Sequence, residues 1–331
     1  MIQRRKFIAL LSTSVILPRI AVGQRLERKL CIVLATKPSA EYESALVAFD
    51  QTLASLGWKR DGNLRVEQFW SAGDQGYEHA LAVARDVLAL NPDVILAQSA
   101  VVVSALRSST QSIPVVFVHV ADPVSSGLVS SLARPNGNIT GVTNTVPSLG
   151  GKWLQILTDM VPGLGRAAML VFPERQQPDR AFFLNPFEEA ARSLAVKTVK
   201  GEVTDIRGIE SVFEGLAQSG PPGAVVVTPH ASFANYSREI VALADRFQIP
   251  TSYPYRYYAA QGGLMSYGVN NLDLFKQAAP YVDRILRGAK PNDLPVQQPT
   301  RFDLIINMKT AKALRLTILA GLLASAEEVI D

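Results

Sequence analysis

Polar and aromatic side chains gather just beyond the apolar runs of this chain, and their types suit the capture of a small molecule. In the first half these positions are Ala35-Thr36, Gln98-Ser99-Ala100 and Ala121-Asp122. In the second they are Phe172-Pro173-Glu174, Thr228-Pro229-His230 and Tyr253 to Arg256. Ser99 offers a hydroxyl, and a helix starting at Ala100 offers backbone N–H groups to a carboxylate. Ser99 reads equally well as a plain N-cap, and the two roles are compatible. Asp122, before Pro123, reads as a cap that also shapes a cleft. His230 most simply opens a surface helix. The stretch "SYPYRYY" (252–258) sets four tyrosines around Arg256. Tyr255 and Arg256 suit a planar organic anion, against the alternative of an amphipathic corner with its hydroxyls in water. The candidate ligand-binding set is Thr36, Ser99, Ala100, Asp122, Thr228, His230, Tyr255, Arg256 and Ser266. Trp70 and Trp153 read as core or hinge packing.

Catalytic hardware is not found. The chain has no G-x-S-x-G elbow, no H-E-x-x-H and no C-x-x-C. "GLGRAA" (163–168) lacks the dinucleotide spacing, and "GGK" (150–152) lacks the rest of a phosphate loop. His79, His119 and His230 lie far apart in sequence. No catalytic residue, metal ligand or cofactor is therefore assigned.

The elements that must position these residues alternate along the chain. "LCIVLA" (30–35), "LRVEQFW" (64–70), "DVILA" (93–97) and "VVFV" (115–118) read as strands. Helical periodicity fills 42–58, 76–90 and the segment between the last two strands. Strand and helix in series signify a parallel sheet with crossover helices, with ligands outside the carboxyl ends of the strands. The alternation restarts after residue 142. Strands are expected at 167–172, 196–201, 223–228, 251–253 and 263–268. Helices are expected at 150–164, 186–195, 209–219, 235–247 and 272–286. An internal echo, Ile113-Pro114 and Ile249-Pro250 each opening a strand after a helix, supports two lobes of one plan. "FDLIIN" and "MKTAKALRL" add a final strand and helix. Late elements returning to the first lobe and crossing again would make a hinge.

The chain has 331 residues, 48% of them hydrophobic, enough for two domains. The net charge of +4 comes from the first 23 residues, which hold Arg4, Arg5, Lys6 and Arg19 and no acid. The remaining 29 basic residues balance 29 acids, so no nucleic-acid footprint is expected. "MIQRRKFIALLSTSVILPRIAVGQ" has the layout of a signal peptide, with cleavage expected after Gly23 by a Sec or twin-arginine route. A periplasmic location follows. Cys31, the single cysteine, reads as buried strand filler.

Several segments now align in order: "VVFVHVADPVSSGLVSSLARPNGNITGV", "GKWLQILTDMVPGL", "GGLMSYG", "YVDRILRGAKPNDLPVQQPTRFDLIINMKTAKALRL" and "EEVID". Together, over residues 29–331, they resemble the ABC-transporter substrate-binding proteins of the group that includes aromatic amino-acid receptors. The resemblance implies an α/β, periplasmic-binding-protein type I-like fold: two doubly wound parallel-sheet lobes joined by a three-crossover hinge. Lobe 1 is expected over 29–142 plus 269–298, and lobe 2 over 143–268 plus 299–331. In this frame the strand at 115–118 delivers Ala121-Asp122 to the cleft edge, and a helix after it packs on the first lobe. Pro135 to Gly141 turn the chain back, and "NITGV" becomes the first crossover. The resemblance further implies a monomer that captures a small molecule, such as an amino acid or other small organic acid. Delivery would be to an inner-membrane ABC permease with its ATPase. The chain departs from the family's pattern at His230, where an acidic residue is common. A sensor partner of a membrane receptor and an enzyme on the same fold are the alternatives. A repressor-like effector domain is disfavoured by the leader.

Overall fold

The computed structural model describes residues 27–71, 76–174, 177, 179–218 and 220–331. The leader and its expected cleavage site lie outside the described residues. Among those described, no helix is long and apolar enough to cross a membrane.

The first sheet is wholly parallel, with strand order β2-β1-β3-β4-β5. It comprises β1 (Arg28–Leu34), β2 (Leu64–Trp70), β3 (Val94–Gln98), β4 (Val115–Val120) and β5 (Ile139–Thr143). Helices α1 (Ala40–Ser55), α2 (Gly76–Ala89) and α3 (Ala100–Ser109) link the first four strands. Central strands read as unbroken apolar runs because helices cover both faces. Alternation divides those runs between two layers. Leu30, Ile32 and Leu34 pack with Phe49 and Leu53 of α1, whereas Cys31 and Val33 pack with Ala84 of α2 and Val102 of α3. Cys31 is fully buried, and burial pushes its thiol up to about 11, as befits strand filler.

The second sheet has order β12-β11-β10-β9-β8-β6-β7. Its strands are β6 (Arg166–Leu170), β7 (Lys197–Val199), β8 (Gly223–Val227), β9 (Thr251–Tyr253), β10 (Met265–Gly268), β11 (Asp303–Asn307) and β12 (Glu328–Ile330). Only β10 and β11 pair antiparallel among these. The helices are α4 (Leu149–Met160), α5 (Arg180–Ser193), α6 (Ile206–Ala217), α7 (Ala231–Asn235), α8 (Ser237–Arg246), α9 (Arg256–Ala260), α11 (Met308–Ala313) and α12 (Ala320–Ala324). Between β10 and β11 runs α10 (Asn271–Leu286), which packs on α1, β4 and β5 of the first sheet. The chain therefore passes between the sheets three times: after β5, before α10, and again before β11. The third passage is tied to the first, since Thr143 donates its N–H to the Gln297 carbonyl at 2.9 Å.

Three local expectations are corrected. Residues 121–138 form turns and no helix. Asp122 Oδ1 accepts from the N–H groups of Val124 and Ser125, and Gly127 and Gly137 take φ of 66° and 94°. Local side-chain bonding with left-handed turns outcompetes a helix there. "NITGV" holds the edge strand β5 of the first sheet, and the passage to the second begins only after it. Finally, α5 starts at Arg180 and carries Pro186 in its interior, where a start at 186 was expected. Tertiary packing overrides the proline: Gly150 and Gly151 of α4 let the two helices approach closely. A Cβ at Gly150 would lie 2.2 Å from the Phe183 carbonyl oxygen.

Candidate ligand-binding site

The facing carboxyl ends of the two sheets meet at a β-bulge. In β4 the register shifts between Phe117 and Val120, and His119 takes φ of 55°. The extra residue of a bulge re-aims its side chain. His119 is directed among Tyr42 of α1, Phe275 of α10 and Tyr255, which lies just before α9. Its Nδ1 lies 3.0 Å from the Tyr255 hydroxyl, and Asn144 Nδ2 donates to that hydroxyl at 2.8 Å. Two lobes and one passage between them thus converge on a single oxygen. The Asn144 nitrogen can only donate, so the hydroxyl accepts there and is free to donate its one proton to His119 Nδ1. The neutral imidazole then carries its proton on Nε2, which is buried with no partner. Burial pushes His119 down to about 3, so the ring is neutral.

A second rung lies beside the first. Gln98, at the end of β3, accepts from the Ala35 N–H at 2.7 Å and donates to the Tyr42 hydroxyl at 3.1 Å. Next to these sit Thr36, buried with its hydroxyl unpartnered, and Ser99. Ser99 caps α3 by accepting from Val101 N at 3.4 Å, with φ of 83° and ψ of 141°. That backbone region is essentially reserved for glycine.

The second lobe contributes carboxylate and aromatic groups. Asp179 precedes α5, and burial pushes its carboxyl up to about 6, with Asp122 of the other lobe adding to the rise. Asp179 forms no ion pair among the described residues. Gln177 accepts from Phe172 N at 2.9 Å and donates to the Thr228 hydroxyl, which itself donates to the Leu170 carbonyl at 2.8 Å. His230 caps α7 through Nδ1, and its ring lies against Phe172 at 4.7 Å. Lys37 of the first lobe reaches Asn235 of the second at 3.5 Å through its N–H.

The structure sorts the nine candidates into groups. Thr36, Ser99, Ala100, Asp122 and Tyr255 stand at or beside the junction of the lobes. Asp122 spends one carboxylate oxygen on its own turn. Thr228 is a bracing residue whose hydroxyl is already committed, and His230 is a helix cap. Arg256 is turned to solvent, where Nε and Nη2 hold the two Glu328 oxygens at 2.6 Å each. Its planar fork is thereby matched bidentately. Ser266 is fully buried and lines a separate cavity at the flank of the passage into α10. The cluster also holds residues that sequence reasoning passed over, His119, Asn144, Asp179 and Tyr42, and Gln98, which it placed after a strand without adding it to the candidate set. For His119 a signal existed, as a polar residue between Val118 and Val120 within an apolar strand.

Comparison with known proteins gives the chain its relatives. The family described as ABC transporter substrate binding protein matches residues 40–330. A tyrosine-binding protein of Clostridioides difficile (strain R20291) is 22% identical over 273 residues, which are 82% of this chain and 76% of that protein. Two solved structures superpose closely. A conserved domain protein from Vibrio cholerae has a TM-score of 0.82 at 23% identity, covering 92% of this chain and 99% of that one. An ABC domain in complex with L-Trp from Streptococcus pneumonia has a TM-score of 0.83 at 22% identity, covering 92% and 100%.

Proposed function

We propose, for a chain that belongs to the ABC transporter substrate binding protein family, that it captures a small amino acid-like solute between its lobes. The observation that supports this best is a set of buried polar groups left without protein partners where the lobes meet. His119 Nε2–H is a donor, Asn144 Oδ1 an acceptor and the Thr36 hydroxyl either one. Unpaired buried groups are costly, so such a set suits a polar occupant. Asp179 adds a carboxylate without a cation, which suits a ligand ammonium. The start of α3 and the His119 donor suit a ligand carboxylate. The aromatic rings of Tyr42, Tyr255 and Phe275 nearby suit an apolar side chain, and the tyrosine- and tryptophan-binding relatives fit that reading. Members of the family are substrate-binding proteins, not enzymes. The leader supports export to the periplasm, and the family supports delivery of the solute to a membrane permease with its ATPase.

The test is calorimetry with L-amino acids and with their deaminated acids. An ammonium facing Asp179 predicts at least about tenfold weaker binding of the deaminated acid, or about 1.4 kcal/mol. It also predicts that amino-acid affinity falls as pH drops below about 6, where Asp179 of the free protein takes up a proton. Asp179→Asn should erase both differences. Equal affinity for the two acids, unchanged from pH 7.5 to 5, overturns the reading.

A further inference from the structure

We propose that the cavity between α1, α9, β10 and the start of α10 is a second ligand site, for a small primary amine, coupled to the seating of the lobes. The cavity has a volume of about 420 Å³, within the range of small-molecule pockets. None of Ser99, His119, Asn144, Asp179 or Tyr255 lines it. The amine site stands independently of the cleft reading; its coupling to solute affinity rests on that reading.

The polar lining is fixed by its own bonds. Glu41 stands in the first turn of α1, and one of its oxygens accepts from Asn271 Nδ2 at 3.1 Å. A carboxylate only accepts, so this bond sets the orientation of the Asn271 amide. Asn271 Oδ1 is then turned away from Glu41, and it is buried with no partner. Ser266 is likewise buried with its hydroxyl unbonded. The charged neighbours do not supply the missing partner. Arg256 is committed to Glu328, and Asp303 accepts from Arg301 and Asn270. Glu41 forms no ion pair among the described residues, and its burial raises its pKa against the opposing pull of Asn271 and Arg256.

What remains is a set of three acceptors: the second Glu41 oxygen, Asn271 Oδ1 and the Ser266 hydroxyl. An alkylammonium carries three donors and one positive charge, and it complements that set in number and sign. Ala40, Val269, Leu272 and Ile305 complete the lining and provide apolar surface for a short alkyl chain. Arg256 and Asp303 also line the cavity, but their charges are matched by Glu328 and Arg301; an anion would meet the unmatched Glu41, which disfavours one.

The cavity also joins the two lobes. Glu41 and Asn271 lie on helices packed against the first sheet, whereas Ser266 and Ile305 belong to the second. A ligand held from both sides favours the lobe arrangement that brings the four residues together. By linkage, its binding and that of the cleft solute then alter each other by the same factor.

The experiment is calorimetric titration of the protein with n-butylamine hydrochloride at pH 7.5, with sodium butyrate as the alkyl control. Saturable binding of the amine and none of butyrate is expected. Glu41→Gln keeps the shape and removes the charge, and it should weaken the amine at least tenfold. Ser266→Ala removes one acceptor and should weaken it by a smaller factor. Circular dichroism melts confirm that both variants are folded. Absence of saturable amine binding in the unaltered protein overturns the proposal. So does binding lost with Asp179→Asn but kept with Glu41→Gln, because that result puts the amine in the cleft. An amine that binds through Glu41 while no solute binds the cleft leaves the amine site standing and fails the cleft reading alone.

Discussion

Tyr255→Phe removes one oxygen from the point where the lobes meet. The hydroxyl lies 3.0 Å from His119 Nδ1 and 2.8 Å from Asn144 Nδ2, all of them buried. Without it both nitrogens join His119 Nε2 and Asn144 Oδ1 as unpartnered groups. Each buried group stranded in this way costs about 1–3 kcal/mol, less the desolvation that the missing hydroxyl no longer incurs. A net loss of about 2–4 kcal/mol is expected in the seated arrangement. At roughly 2 °C per kcal/mol for a chain of this size, thermal melting should fall by about 4–8 °C. The lobes have a second way to respond. Parting lets water satisfy the four groups, so part of the loss can emerge as a larger radius of gyration in X-ray scattering. A double-mutant cycle with Asn144→Ala should give a coupling of about 0.5–3 kcal/mol. If melting, radius and coupling all stay unchanged, the lobes do not meet on this hydroxyl in solution, and the site described above is wrong.

Further outcomes follow from individual contacts. His119 is depressed from 6.5 to about 3, so its contribution to stability is present above 6.5 and lost as pH falls through that window. Urea unfolding should show the unaltered protein losing up to about 1.4 kcal/mol per pH unit relative to His119→Gln between 6.5 and 4. Asp179 is raised to about 6 and acts with the opposite sign in both proteins, so it cancels in the difference. Gly150→Ala drives a methyl into the Phe183 carbonyl and should cost about 1–3 kcal/mol or more in the denaturant midpoint. Gly215→Ala in α6, with open space around its Cβ, should instead stabilise by about 0.5–1 kcal/mol. Arg256→Ala removes a half-exposed ion pair, which is worth about 0.2–1 kcal/mol. It should leave solute affinity within about threefold, and a tenfold loss would return Arg256 to the cleft.

Most of the framework was legible because burial on both sides of a parallel strand leaves an unmistakable apolar run. β2 is read from its alternation to the residue, and β1, β3 and β8 to within two residues. The failures have local causes. Pro186 hides the first turns of α5, because the compensating feature is a glycine pair on another helix. Asp122 and the glycines beyond it convert an expected helix into turns. The placement of Thr36 and Ser99 at the junction of the lobes was legible because they follow strands directly. That of Asn144 and Asp179 was not, since it depends on the approach of the other lobe. The pairing of Arg256 was hidden for the same reason: its partner Glu328 lies 72 residues away, and nothing nearby in sequence reveals that the guanidinium is taken.

Backbone strain is also present at this place, where two of the eight non-glycine residues with positive φ among the described residues lie on adjacent strands. Ser99 follows β3 and His119 lies near the end of the adjacent β4; His119 takes a left-handed φ of 55°, and Ser99, at φ 83° and ψ 141°, lies in a region that serine rarely adopts. They are also bonded in series, since Ser99 N–H donates to the Val118 carbonyl at 3.1 Å, one residue before the bulge. Such conformations cost of order 1–3 kcal/mol each, and they persist only where surrounding structure holds them. The surrounding structure here is a fully buried pair of strands on one side and Tyr255 on the other. A glycine at 99 would relieve its backbone at no steric cost, but it would delete the hydroxyl that caps α3. That a serine and a histidine occupy these two positions fits a cleft where side chains at the ends of β3 and β4 are needed for a ligand.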